Sequence, residues 1–103
     1  MTERDLRLIG LAARAGSVLV GTSAVRDGLR RSEVLLVVLA GDRGRRTEEK
    51  VARLARGKGV RIVEGPDSAE LGRRLGRKTV QALGLLDPNL ASEIGAVGRA
   101  ERR

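Results

Sequence analysis

The chain has 103 residues, 41% of them hydrophobic, and carries 21 Lys and Arg against 13 Asp and Glu for a formal charge of +8. That length fits one domain with a real core. The complete lack of Cys, His, Phe, Tyr and Trp excludes a disulfide framework, zinc or haem sites built on Cys or His, imidazole or thiolate catalysis, and single-strand recognition by aromatic stacking.

Thr2 with Asp5 three residues on resembles a capping box, and apolar residues then recur at helical spacing (Leu6, Ile9, Ala13 and Leu8, Leu11, Ala12). A first helix is expected over Glu3–Ala15, ended by Gly16. Val18–Val20 reads as a short strand, and Thr22 can cap a second helix through Arg31 with Val25 and Leu29 inward. Val34–Ala40 is continuously apolar, as a central strand buried on both faces must be. After a loop at Gly41–Gly44, Thr47 can cap a third helix to Gly57, with Val51, Leu54 and Ala55 as its buried stripe. Val60–Val63 reads as a strand, Asp67 with Glu70 as a second capping box, and Ser68–Leu75 as a helix ended by Gly76. A fourth strand over Thr79–Leu86 and a last helix over Asn89–Val97, begun by Asp87-Pro88, complete the pattern. Strands alternating with helices predict an α/β fold, a three-layer α/β/α sandwich around a mixed, roughly four-stranded sheet. There is no internal repeat or linker, so residues 1–98 are expected to form one domain, and residues 99–103 a basic tail that frays.

The positive charge is not spread evenly. Residues 23–58 hold +5 of it and residues 59–78 another +2. Three clusters account for this excess. Arg26, Arg30 and Arg31 lie on the second helix, Arg43, Arg45 and Arg46 follow the central strand, and Arg73, Arg74, Arg77 and Lys78 close the fourth helix. Each could be a solvated helix face, but convergence of all three on one surface would make a nucleic-acid footprint. Arg outnumbers Lys 18 to 3, and the guanidinium fork suits phosphate and base edges better than an ammonium.

Chemical motifs are scarce. Gly72-Arg73-Arg74-Leu75-Gly76-Arg77-Lys78-Thr79 is one residue short of a phosphate loop and joins a helix to a strand, the reverse of what such a loop requires. Asp42, Glu48 and Glu49 near the start of the third helix suit dipole stabilisation better than metal binding. Ser17, Ser23 and Ser68 have no partner base other than Lys. No catalytic residues, metal or cofactor are expected. No segment reaches the roughly 18 apolar residues of a membrane span, and residues 1–5 lack a signal-peptide pattern, so a cytoplasmic location is expected.

Four stretches carry a family resemblance. They are Ile9-Gly10-Leu11-Ala12-Ala13-Arg14-Ala15-Gly16, then Gly21-Thr22 ahead of Leu36-Val37-Val38-Leu39-Ala40-Gly41-Asp42, then Glu70-Leu71-Gly72-Arg73-Arg74-Leu75-Gly76-Arg77. In order and spacing, over about residues 5–95, the chain resembles the L7Ae/L30e ribosomal protein family, and most of all its small stand-alone bacterial members. The resemblance implies an α/β/α sandwich that binds RNA, typically at kink-turns, through three elements. On this chain these are the start of the second helix (Gly21, Thr22, Ser23, Ala24, with Arg26 and Asp27 beyond), the loop after the central strand (Gly41, Asp42, Arg43) and the loop before the last strand (Gly76, Arg77, Lys78, Thr79, Val80); the charge cluster on the second helix adds Arg30 to the expected RNA-binding residues. Family members that bind kink-turns tightly carry Asn-Glu or Lys-Gln where Ser23-Ala24 stand, and Lys where Asp27 stands.

The expected function is therefore non-enzymatic binding of structured RNA, a kink-turn or a related ribosomal or non-coding RNA, by a monomer that associates with the ribosome or the transcription–translation machinery. The competing reading is a protein–protein interaction module of such a complex with incidental RNA contact.

Overall fold

The computed structural model describes residues 1–95. It contains α1 (Glu3–Arg14), β1 (Val18–Val20), α2 (Thr22–Arg30) and β2 (Leu36–Leu39). Next come α3 (Arg45–Thr47), a π-helical turn (Glu48–Ala52) and α4 (Arg53–Gly57), which follow one another without a break as a single rod. Then follow β3 (Arg61–Glu64), α5 (Ser68–Arg74), β4 (Ala82–Leu85) and α6 (Pro88–Glu93).

The sheet order is β1-β4-β2-β3. β4 runs antiparallel to both neighbours, with Leu19 opposite Gly84 and Val37 opposite Gly84 on its other side, while β2 and β3 are parallel. The sheet is thus mixed, and helices cover both faces, as expected. Leu36 and Val38 of β2 pack with Ile9, Leu71 and Ile94 under α1, α5 and α6. Val37 and Leu39 pack with Val25, Leu29, Val51 and Ala55 under α2 and the α3–α4 rod. This is the period-2 alternation of a strand read on two faces. All four β2 residues are fully buried, and truncation of such a Leu to Ala costs about 2–5 kcal/mol. Gly84 is needed on the α2 side because a Cβ there would lie 3.0 Å from the Val34 side chain.

Several boundaries differ from the expected ones. Thr22 does not cap α2. Gly21 holds the N-cap position with φ 102°, a conformation open to glycine. Thr47 does not cap the third helix either, which begins two residues earlier after Gly44. β4 is shorter than Thr79–Leu86 because Val80 N–H bonds the Ser68 carbonyl at 2.9 Å and pulls the chain off the sheet before Ala82. Asp67 accepts from the Glu70 N–H, but the Glu70 carboxylate turns to Arg73 and Arg74 and does not return to complete a capping box. The Thr2–Asp5 box is complete, and buried Asp5 also accepts from Gly95 N–H, joining the two ends of the described chain. α6 ends at Glu93. Residues 96–97 of the expected last helix and the expected tail lie outside the described residues.

Candidate nucleic-acid interface

β1 and β2 both end, and β4 begins, at one edge of the sandwich. Each of β1 and β2 feeds a helix there. α2 starts after Gly21 and the α3–α4 rod after Gly44, and neither start is capped by a side chain or carries an acidic residue in its first turn. The other three helices are capped by Thr2, Asp67 and Asp87. Two helix starts therefore offer their first backbone N–H groups and positive dipole ends to the same space.

The segment between α5 and β4 closes the third side. Gly72 makes this possible, since a Cβ there would lie 2.8 Å from the Arg77 carbonyl oxygen and from the Lys78 backbone. The segment can cross directly over α5 only because that Cβ is missing. Arg77 N–H bonds the Gly72 carbonyl at 2.8 Å and fixes the crossing. Together the three segments bound an open groove of about 460 Å³ with Gly21, Thr22, Arg45, Arg46, Arg77 and Thr79 on its walls. Among the described residues no carboxylate lines it. Arg45, Arg46 and Arg77 form no ion pair among the described residues.

A one-way hydrogen-bond chain runs beneath the groove. Gly44 N–H donates to Gln81 Oε1 at 2.9 Å, and so does the Thr47 hydroxyl, also at 2.9 Å. A backbone N–H can only donate, so the Gln81 amide has one possible orientation. With its proton spent on Gln81, Thr47 must accept from the Thr22 hydroxyl, 2.9 Å away. The groove side is left with the Gln81 NH₂ donors and the Thr22 lone pairs. Thr47 is nearly fully buried, which fixes the chain in place.

The structure places the expected site residues in several locations. Gly21, Thr22, Arg77 and Thr79 line the groove. Gly76 and Lys78 flank Arg77 on the exposed segment, and Ser23 is exposed on the first turn of α2. Gly41, Asp42 and Arg43 turn toward β3 and α5 instead. Gly41 N–H bonds the Pro66 carbonyl, and Asp42 accepts from both Ser68 N–H (2.7 Å) and the Ser68 hydroxyl (3.1 Å). The Arg43 guanidinium is held by Glu64 at 2.7 and 3.1 Å, by Glu48 at 2.8 Å and by the Ala40 carbonyl. Those hydrogen bonds, Glu64's first, push the Arg43 pKa up, and Arg43, followed by Arg56, holds the Glu48 carboxyl below its ordinary value. This loop sets the position from which Gly44–Arg46 enter the groove. Arg26 and Arg30 lie farther along α2, outside the groove, facing the rod. Of the last basic cluster, Arg73 and Arg74 are paired with Glu70, and Arg74 also with Glu3.

Sequence reasoning missed Gly44, Thr47 and Gln81 as groove residues. Arg45 and Arg46 were visible as charge, but Gln81 between two apolar residues gives no signal. Among the described residues no group of acidic side chains could hold a metal ion, and no helix is long and apolar enough to cross a membrane.

The fold and the site together are an α/β/α sandwich with a basic groove, lined by no carboxylate among the described residues, at the edge where two uncapped helices begin. The sequence model of the Ribosomal protein L7Ae/L30e/S12e/Gadd45 family matches residues 6–94, and the chain belongs to that family. A search of curated proteins gave no match. Among solved structures, a protein of unknown function from Bacillus halodurans is 27% identical, with a TM-score of 0.86 over 93% of this chain and 97% of that one. A Giardia lamblia 15.5 kD RNA binding protein shares the fold at 22% identity, with a TM-score of 0.76 over 99% of this chain and 92% of that one.

Proposed function

We propose that the protein is a non-enzymatic binder of structured RNA that holds the phosphate backbone in this groove. The observation that carries the reading is the convergence of two glycine-started helices with Arg45, Arg46 and Arg77, which form no ion pair among the described residues, on a surface that no described carboxylate lines. Free helix-start N–H groups and guanidinium forks are both phosphate ligands. Family membership and the RNA-binding name of the Giardia structure support the same reading.

On this reading Gly21, Thr22, Arg77 and Thr79 contact the RNA. Gly76 and Lys78 extend the contact, and Gly41, Asp42 and Arg43 hold the loop that aims Arg45 and Arg46. Residues 1–98 act as one RNA-binding domain, as a monomer in the cytoplasm, associated with ribosomal or other non-coding RNA. The RNA is a kink-turn or a related bent element. Ser23 and Ala24 offer no side chain that bridges a base pair, so recognition rests on the bent backbone and on the donors beneath the groove.

Crosslinking to cellular RNA followed by sequencing tests this. The expected result is recovery of structured RNA, with crosslinked peptides spanning residues 44–47 or 76–81. Equal recovery by the Arg45→Glu/Arg46→Glu/Arg77→Glu variant would overturn the reading.

A further inference from the structure

Thr22, Arg26 and Arg30 are spaced four residues apart on α2, so they follow one another along one helix face. Thr22 lines the groove, whereas Arg26 and Arg30 line a second depression with Glu49, Lys50 and Arg53, floored by Leu54. On the rod, likewise, Arg46 lies in the groove and Lys50 and Arg53 in the second depression. The two depressions thus lie in series between the same two helices.

The charge of this channel is not balanced within the protein. Several cations elsewhere are paired internally: Arg4 with Glu93, Arg43 and Arg56 with Glu48, Arg73 and Arg74 with Glu70. Arg30, Lys50 and Arg53 form no ion pair among the described residues. The Arg26 Nε is buried without a hydrogen-bond partner, and the nearest carboxylate oxygen, on Asp27, is 3.9 Å away. Against these four cations the channel sets one carboxylate, Glu49. Like charges lining one depression repel one another, and a bound polyanion relieves that repulsion.

We propose that the channel between α2 and the α3–α4 rod is a second phosphate-binding track, which takes the flanking stem of an RNA whose structured part sits in the groove. The proposal rests on the groove being an RNA site. From Thr22 to Arg30 the track covers about 12 Å of helix axis. A duplex carries one phosphate charge per roughly 1.7 Å of its axis, so several phosphates can lie along it.

The test uses two end-labelled kink-turn RNAs, one with a minimal flanking stem and one with that stem lengthened by a single helical turn. The variant is Arg30→Gln/Lys50→Gln/Arg53→Gln. Arg26 is kept because its Nε is buried, and an unchanged circular-dichroism spectrum and urea midpoint establish that the variant is folded. The wild-type protein is expected to bind the long RNA at least about tenfold tighter than the short one. The variant should lose that advantage while binding the short RNA as before. The salt slope for the long RNA alone should fall by about 2. Equal wild-type binding of the two RNAs, or a length advantage that survives in the variant, overturns the track and leaves the groove intact. Binding of neither RNA overturns both. A polyglutamate of matched charge that competes away the length advantage as well as RNA does would make the channel an acidic-protein site.

Discussion

Thr47 donates its hydroxyl to Gln81 Oε1 at 2.9 Å across 34 residues of chain. This contact ties the first turn of the rod to the residue before β4, and because the Gly44 N–H, which can only donate, bonds the same oxygen, the Gln81 NH₂ is left unengaged by either group. This pair and the Gly44 N–H together hold the floor of the groove.

Gln81→Glu keeps the oxygen that Gly44 and Thr47 bond but replaces the outward NH₂ with a carboxylate oxygen. RNA affinity should fall about tenfold or more, since the loss of a charge-assisted donor is joined by repulsion of phosphate. Thr47→Val removes the inner link and should lower stability by about 1 kcal/mol. Fluorescence titration with a kink-turn RNA and urea unfolding at constant m-value separate the two effects. Undiminished RNA affinity in Gln81→Glu would take Gln81 out of the interface.

Gly72→Ala places a methyl group 2.8 Å from backbone atoms of Arg77 and Lys78. The crossing segment must lift, at a cost of about 1–3 kcal/mol, and Arg77 moves with it. Gly57→Ala, with open space around the Cβ, should be neutral or stabilising by up to about 1 kcal/mol. Thermal melts and RNA titrations of the two variants should diverge in the same direction. Equal behaviour would mean that the crossing has room to spare.

Glu48 is held below its ordinary pKa by hydrogen bonds from Arg43 and then Arg56. A depressed carboxylate stabilises the fold above its unfolded pKa, about 4.3, and that contribution is lost as pH falls through the folded value. The stability gap between wild type and Glu48→Gln should be flat at neutral pH and narrow below about pH 4. It should be modest, because both Glu48 and Arg56 are well exposed. A gap that widens on acidification would contradict the assignment.

Ser23→Asn/Ala24→Glu supplies the side chains that tight kink-turn binders of the family carry at these positions. It should raise the affinity ratio between a kink-turn RNA and a plain duplex of equal length. A good bidentate base contact is worth roughly 1–3 kcal/mol in the DNA groove, taken here as a scale. If the unaltered protein already prefers the kink-turn by a hundredfold, the backbone and Gln81 carry the discrimination without them.

Arg77→Ala should weaken RNA binding more than Arg73→Ala, although the two are four residues apart in one basic run. Arg77 faces the groove unpaired, whereas Arg73 is engaged by Glu70. Electrophoretic mobility shifts at fixed salt compare them directly. The reverse order would move the interface onto the exposed face of α5.

The elements, their order and the two-faced core were legible in the sequence because their causes are local. The Thr2–Asp5 box, the strand at Val18–Val20 and the apolar run of β2 each follow from neighbouring residues, as do the alternating faces of Leu36, Val37, Val38 and Leu39. Composition also excludes zinc or haem sites built on Cys or His, thiolate chemistry and aromatic stacking. The candidate groove was only half legible. Gly21, Thr22, Arg77 and Thr79 could be named from the resemblance, but a charge count cannot tell a spent arginine from a free one. Arg43 finds Glu64 across 21 residues and Arg74 finds Glu3 across 71, while Arg45, Arg46 and Arg77 find no carboxylate among the described residues. Thr22 and Thr47 look like helix caps one at a time, yet both hydroxyls are drawn into the Gln81 chain across 34 residues or fewer. The sequence by itself determined the fold and the sign of the charge, because periodicity, capping and composition act within a few residues. Only the tertiary structure decided which cations are left for a ligand and which donors face it, because a salt bridge or a hydrogen bond depends on what the folded chain brings within about 3 Å.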